Sequence, residues 1–333
     1  MTVSKRIDVI ATTISGSVSD WGKVGRIVPL FREHGEDNVN LISVDSHADA
    51  RQKACELVKD GSEILISAGG SGTFNAVVEG CYDARCDFNR LRLGFLRKGS
   101  ADLIGKVLGM PDEIEEAIEV FVNSIREDKV VPCDVLLASS EHGDSDVRHF
   151  VGYGGAEVFG EVPRFTENRF IKYYKGILSQ LFGDLGPFFV GTSLAVISKI
   201  FRHIGRGKRQ WEIMVDGQAV TQGYYQAIMI VNGYLGPNMP FAQGVPLGSG
   251  DFHVFAIRDM GVFKLPMQLK HAWDASVLED PDRWGFEGFR VKEKLVLRPD
   301  GDSVFPLNTD GSALECYGSA SVEIDDRIYF LTR

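Results

Sequence analysis

The sequence contains no apolar run long enough to cross a bilayer and no Cys-x-x-Cys motif. Its most apolar stretch, residues 187–201, is shorter than the ~20 residues that a membrane-spanning helix needs. The five cysteines are scattered, which favours reduced thiols over a disulfide framework. Residues 1–7 lack the apolar core of a signal peptide. These features predict a soluble protein of a reducing compartment, the cytoplasm.

Positive charge is also scarce, because 36 Lys and Arg residues face 46 Asp and Glu residues and the formal net charge is −10. Nucleic-acid binding needs clustered cations, so this balance predicts that the protein has no nucleic-acid partner. The 333 residues are enough for one or two domains with a sizeable core, and the 44% of apolar residues is ordinary for a soluble globular protein.

The first 131 residues alternate between strand-like and helix-like segments. Predicted strands at 7–11, 39–44, 64–68 and 92–96 alternate with predicted helices at 21–34, 48–59 and 112–126. In the last of these helices, Asp112 is the expected N-cap, and apolar residues from Ile114 to Ile125 line one face. Such alternation predicts an α/β domain, residues 1–131, with a parallel sheet covered by helices.

After Pro132 the pattern changes to strand-like segments. Asp216-Gly217 between two apolar runs is a strong hairpin signal. We therefore expect a second, mostly antiparallel β domain over residues 132–317, interrupted by a helical insert at about 170–205. The apolar side chains of this insert are typical of core packing, but basic residues after it leave open a lipid-facing, membrane-associated element.

A glycine-rich turn, Gly69–Thr73, lies between an apolar strand and a helix start. Backbone N–H groups and the helix dipole in such a turn favour anions, and glycine allows a phosphate to approach closely. The turn matches neither the Walker A motif nor the dinucleotide motif, since no Gly-Lys-Ser/Thr follows and Asn75 replaces the last glycine. An ordinary α/β turn and a hydrolase nucleophile elbow at Ser71 are the alternatives.

Two further turns of small polar residues follow predicted strands, at Thr12–Ser17 and Lys98–Leu103. Turns that follow parallel strands line one edge of the sheet, where ligands of open α/β folds bind. A helix N-cap is the alternative explanation for Ser100. Together the three turns predict a nucleotide-phosphate site.

These motifs, in this order, resemble the diacylglycerol kinase catalytic-domain family, which includes bacterial lipid kinases and sphingosine kinases. Gly69–Thr73 with Asn75 resembles its Gly-Gly-Asp-Gly-Thr motif, and Asp310-Gly311-Ser312 its Asp-Gly-Glu. Residues 150–156 and Asn232-Gly233 also fit the family pattern. The resemblance implies a nucleotide-binding domain, a C-terminal β-sandwich and a last segment, 318–333, that returns to the first domain.

The resemblance also implies a function: ATP-dependent phosphorylation of a lipid hydroxyl, with Mg²⁺ in an active enzyme, possible contact with a membrane and possible oligomers. The metal-binding residues are not identified. The implied nucleotide-binding residues are Thr12, Thr13, Ile14, Ser15, Gly16, Gly69, Gly70, Ser71, Gly72, Thr73, Asn75 and Ser100.

The departures from the family pattern all remove acidic groups. Ser71 replaces an aspartate, Ser312 replaces the glutamate that resembles a general base, and Ser249 lies in place of a metal-binding acid. A serine hydroxyl neither supplies charge for Mg²⁺ nor accepts a proton near neutral pH. The positions implied in catalysis are therefore Ser71, Ser312 and the retained Asp310, and a nucleotide- or lipid-binding relative without catalysis is the alternative.

Overall fold

The computed structural model describes residues 5–12, 20–97, 103–141, 147–161, 208–236, 241–261, 263–273, 276–301 and 303–333. Residues 13–16, Ser100 and the predicted helical insert at 170–205 lie outside these ranges. The chain divides into two compact units, residues 1–133 with 327–333 and residues 134–326.

The first unit alternates strands and helices, as the sequence predicts. Its elements are β1 (Ile7–Thr12), α1 (Asp20–Glu33), β2 (Val39–Val44), α2 (His47–Lys59), β3 (Ile64–Gly69), α3 (Ser71–Asp83), β4 (Arg92–Arg97), α4 (Leu103–Val107) and α5 (Ile114–Glu127). The following strand, β5 (Val130–Ser140), leads into the second unit.

The sheet of the first unit is parallel, with the strand order β2-β1-β3-β4 followed by the end of the last strand of the chain, Ala320–Leu331. In that last strand Tyr329 and Phe330 pair with β4. The chain adds β2 on one side of β1 and β3 on the other. The strand order thus reverses between β1 and β3, which is where open α/β sheets bind ligands.

Helix α5 packs the face that the sequence predicts: Ile114, Ala117, Ile118, Phe121 and Val122 are buried. The expected cap at Asp112 is wrong. Glu113 takes the extended conformation of an N-cap residue (φ −79°, ψ 130°) without a capping bond from its side chain, so the helix begins one residue later than an Asp112 cap would place it.

The second unit is rich in antiparallel strands. Its elements after β5 are β6 (Val147–Phe150), β7 (Tyr153–Glu157), β8 (Gln210–Val215), β9 (Gln218–Val231), β10 (Phe252–Arg258), α6 (Leu265–Trp273), a 3₁₀ turn (Ser276–Leu278), α7 (Pro281–Trp284), β11 (Phe286–Val291), β12 (Lys294–Pro299), β13 (Val304–Thr309), β14 (Ser312–Tyr317) and β15 (Ala320–Leu331).

The described strands of the second unit pair in antiparallel fashion, some as hairpins and others between strands that are further apart in the sequence. Strands β8 and β9 form the predicted hairpin, and Asp216 in its turn has φ 50°. A core of buried side chains that includes Trp211, Phe252 and Phe305 holds these strands together. The predicted fold class, an α/β region with a parallel sheet followed by an antiparallel β-rich region, is confirmed.

Candidate phosphate-binding site

The glycine-rich turn lies at the carboxyl end of β3, beside the end of β1. Ala11 of β1 pairs with Ala68 of β3, so Thr12 and Gly69 are the next residues along the two strands. This is the position where the strand order of the sheet reverses. The sequence motif therefore lies at the edge where this class of sheet binds ligands.

Three elements meet over Gly69. A Cβ atom placed on Gly69 would lie 2.7 Å from Thr12 Cγ2 and 2.7 Å from Thr73 Oγ1. Real Cβ atoms do not approach other atoms so closely, so only glycine lets the two threonine side chains pack over the end of β3. Because Gly69 has no side chain, β1, β3 and the first turn of α3 can approach one another closely here.

The N-terminus of α3 carries backbone donors that the helix does not use. Its N-cap is Gly70, which is extended (φ −91°, ψ −179°) and has no side chain to bond to the first N–H groups. Thr73 N and Phe74 N reach back to Gly70 O, whereas the N–H groups of Ser71 and Gly72 precede the first helical acceptor. Both residues are partly exposed, so an anion can reach them.

The hydroxyl of Thr73 points to a ligand at the same place. Thr73 is 1% exposed, and its Oγ1 has no hydrogen-bond partner among the described residues. Burying an unpaired hydroxyl costs free energy, about 1–3 kcal/mol. A phosphate oxygen bound at the start of α3 would supply the missing partner. Asn75, one turn further on, is buried on the same helix.

The structure adds a residue that the sequence analysis missed, His47. It begins α2 after the turn that follows β2, and Ser46 caps this helix by accepting a hydrogen bond from Asp49 N at 2.9 Å. The His47 ring lies against Gly72: a Cβ atom on Gly72 would be 2.7 Å from His47 Cε1. The signal in the sequence was the β2–α2 turn, which ends at the same sheet edge as the glycine-rich turn.

In the second unit, the Asp310 carboxylate is buried among backbone donors. It accepts hydrogen bonds from Val151 N (2.7 Å), Gly152 N (3.1 Å) and Tyr153 N (2.8 Å). Burial raises the pKa of Asp310, and the three N–H donors partly oppose this. The carboxylate therefore fastens the β6–β7 turn to the β13–β14 hairpin.

Other family-like positions gather around the same turn. Asn232 donates to Val151 O and Asp134 O at 2.8 and 2.6 Å. Ser312 begins β14, opposite Thr309, and is partly buried. Thus the second-unit motifs at 150–156, Asn232 and Asp310 are brought together by hydrogen bonds.

The region of the family's second-domain metal motif is occupied by an ion pair. Asp251 is buried, accepts a hydrogen bond from Ser249 Oγ at 2.6 Å and pairs with Arg290. Asp251 is therefore not a solvated loop carboxylate, because the strand pairing of β10 with β11 brings Arg290 to it. Among the described residues, no group of three or more His, Cys, Asp or Glu side chains is arranged to hold a metal ion.

Sequence comparisons identify relatives over part of the chain. Residues 6–135 match the family described as the diacylglycerol kinase catalytic domain. A diacylglycerol kinase of Staphylococcus haemolyticus is 27% identical over 141 residues, which are 40% of this chain and 38% of that protein. One of Staphylococcus saprophyticus is 34% identical over 74 residues, 22% of this chain and 23% of that protein. The chain thus spans less than two fifths of the length of these curated relatives.

Solved structures resemble the whole chain. A diacylglycerol kinase structure from Bacillus anthracis has a TM-score of 0.65 and 17% sequence identity, and the match covers 100% of this chain and 98% of that one. Another structure from the same organism reaches a TM-score of 0.70 at 18% identity. At these identities the likeness is one of fold. No helix in the described part of this chain is long and apolar enough to span a membrane.

Proposed function

We propose that this chain, whose residues 6–135 match the diacylglycerol kinase catalytic domain family, transfers the γ-phosphoryl group of ATP to a lipid hydroxyl. In this reaction the bond between the γ-phosphorus and the bridging oxygen of ATP breaks. A bond from the lipid oxygen to that phosphorus forms, and the hydroxyl loses its proton. The observation that carries the proposal is the start of α3 at the switch point of the sheet, where the N–H groups of the first helical turn and the buried Thr73 hydroxyl lie together without a partner among the residues that the structure describes.

The residues of the first unit have positioning and electrostatic roles in this proposal. The N–H groups of Ser71 and Gly72 donate to phosphate oxygens, and Thr73 Oγ1 donates a further hydrogen bond. Gly69 and Thr12 form the bottom of the phosphate-binding site. Fixed donors of this kind are the main contribution that a protein makes to phosphoryl transfer. The remaining predicted nucleotide contacts, residues 13–16 and Ser100, lie outside the residues that the structure describes.

Mg²⁺, which the family implies, has no protein site among the described residues. The glycine-rich turn carries a serine in place of the acid. In the second unit, Asp310 and Asp134 accept hydrogen bonds from backbone N–H groups, and Asp251 pairs with Arg290. Mg²⁺ prefers several oxygen ligands, and phosphates supply them readily. These residues therefore fit an ATP phosphate chain but do not fit a protein-held Mg²⁺.

The same observations support a second candidate, a nucleotide- or lipid-binding protein without catalysis. Ser71 and Ser312 occupy the two positions where the family resemblance implies acids, and a serine is far too weak a base for the lipid hydroxyl. The loss of a general base typically lowers the rate by ~10²–10⁴-fold. The binding of phosphates at α3 needs neither acid, so it is common to both candidates.

Transfer of label from γ-labelled ATP into chloroform-extractable lipid distinguishes the two. The purified protein is incubated with a mixed lipid extract, with and without Mg²⁺, and the proposal predicts a labelled phospholipid that forms only with Mg²⁺. Nucleotide binding without labelled lipid would contradict the kinase and support the binding protein. If Ser71→Asp combined with Ser312→Glu transfers label where the natural chain does not, the kinase assignment also fails for the natural chain. Labelling of Ser71 by a fluorophosphonate would instead support the hydrolase.

A further inference from the structure

Two large apolar side chains are unusually exposed around the start of α6. Phe263, in the turn before the helix, is 94% exposed, and Met267, in its first turn, is 52% exposed. Exposing a whole phenylalanine side chain to water is unfavourable, because its burial is worth roughly 1.5–3 kcal/mol. Apolar side chains exposed together on one element are typical of an interaction surface.

The opposite face of α6 is fixed to the rest of the second unit. Gln268 donates two hydrogen bonds from Nε2, to Arg258 O at 2.9 Å and to Trp284 O at 2.8 Å. Ala272, one turn further along the same face, is buried. Lys264 O accepts a hydrogen bond from Gln268 N, so Lys264 is the residue just before the helix and Phe263 precedes it. Met267 and Lys270 are neighbours within the helix, three residues apart, and both are exposed.

Positive charge flanks this apolar pair. Lys264 and Lys270 are both exposed, and neither has an ion-pair partner in the parts of the chain that the structure describes. In a chain whose formal net charge is −10, this surface thus places two exposed lysines beside an exposed apolar pair. An anionic bilayer has negatively charged headgroups over an apolar core of acyl chains. Exposed apolar side chains flanked by lysines are complementary to such a surface.

We propose that the exposed side chains of Phe263, Lys264, Met267 and Lys270 around the start of α6, here called the α6 face, dock onto anionic lipid bilayers. Phe263 and Met267 enter the boundary between headgroups and acyl chains, while the two lysines bind lipid phosphates. The inference rests on the proposed function, because a protein that phosphorylates a lipid has to reach the membrane that contains it. Its test contains no nucleotide, so failure of docking and failure of phosphoryl transfer can be told apart.

The test is co-sedimentation of the full chain with vesicles of phosphatidylglycerol and phosphatidylcholine, and with vesicles of phosphatidylcholine alone. The wild type is expected to bind the anionic vesicles and to be released by salt. Lys264→Glu with Lys270→Glu should weaken binding roughly 20-fold, since each lysine near the surface is worth about fivefold in affinity. Phe263→Ser with Met267→Ser should weaken it by more than about tenfold.

The matched control is Val304→Ser with Tyr317→Ser. These residues face each other across β13 and β14 and are 47% and 43% exposed, so the double variant replaces two exposed large side chains on another surface. It should bind vesicles like the wild type, and unchanged melting temperatures would show that all variants are folded. Wild-type binding that is absent, equal on phosphatidylcholine alone, or equally weakened by the control would overturn the proposal. So would a dimer in solution that the Phe263→Ser, Met267→Ser variant dissociates, because a second copy would then cover the face.

Discussion

Asp310 and Asp216 take the same local geometry in two different surroundings. Each has a left-handed backbone, with φ 48° and 50°, is followed by glycine, and accepts hydrogen bonds from three backbone N–H groups. Asp310 is buried, whereas Asp216 is partly exposed in the β8–β9 turn. Removing the carboxylate should therefore destabilise the fold more at Asp310 than at Asp216, because water cannot reach the buried N–H donors to replace the lost acceptor.

We predict that Asp310→Asn lowers the free energy of unfolding by about 1–3 kcal/mol, since an amide presents an NH₂ group to buried N–H donors. Asp216→Asn should cost less than about 1 kcal/mol, because water reaches its donors. Asparagine tolerates a positive φ, so neither substitution strains the turn. Urea denaturation measures both, and equal losses would show that Asp310 is no more structural than a surface turn residue.

His253 gives a pH-dependent prediction. Burial lowers the pKa of His253, and nearby Asp251 and Arg290 push it in opposite directions. The folded-state pKa thus lies below the value of the unfolded chain, about 6.5. The folded protein then binds fewer protons, so this contribution to stability is present above that pH and is lost as the pH falls below it.

The unfolding free energy of the wild type should therefore fall more between pH 7.5 and pH 5 than that of His253→Gln, which cannot be protonated. Urea titrations at several pH values give both curves. Two parallel curves would show that His253 is not desolvated in the folded state.

Among the elements, α2 and α3 cross so closely that one residue decides the contact. A Cβ atom on Gly80 of α3 would lie 2.2 Å from Arg51 O and 2.7 Å from Ala54 Cβ. The first of these is a backbone atom, which cannot move without shifting α2. Gly25 in α1 is different, because a Cβ atom there would meet nothing within 4 Å.

Gly80→Ala should destabilise the protein by about 1–3 kcal/mol through overpacking, although alanine is the better helix former. Gly25→Ala should leave stability unchanged or raise it by up to about 1 kcal/mol. Thermal unfolding of the two variants compares the same substitution in two helices. A Gly80→Ala protein as stable as the wild type would contradict the close crossing of α2 and α3.

Element positions were largely predictable because they depend on local patterns. The apolar spacing along α5 and the Asp216-Gly217 turn each specify their structure within a few residues. The start of α5 was less predictable, because Asp112 and Glu113 are both able to precede a helix and only the backbone conformation decides between them.

At the scale of the whole molecule, the sequence predicted the fold class and the glycine-rich turn but not what surrounds them. The packing of Thr12 and Thr73 over Gly69 depends on which strands are neighbours, and this is settled by long-range pairing. The hydrogen bonds of Asp310 to Val151–Tyr153 join residues about 158 positions apart. No local pattern carries such information, so the burial of Asp310 and its hydrogen bonds could not be predicted from the sequence, and its role in catalysis stays a prediction.

The central claim, that nucleotide phosphates bind at the start of α3, is tested most directly by ATP affinity in two matched variants. Thr73→Val and Ser67→Ala each remove a buried hydroxyl without a partner among the described residues, but Ser67 lies within β3, two residues before its last residue, Gly69, and not in α3. Calorimetric titration should show ATP affinity reduced at least about tenfold in Thr73→Val, as expected for a hydrogen bond to a charged group. Ser67→Ala should bind like the wild type. Unchanged affinity in Thr73→Val, or an equal loss in both variants, would contradict the assignment of the site.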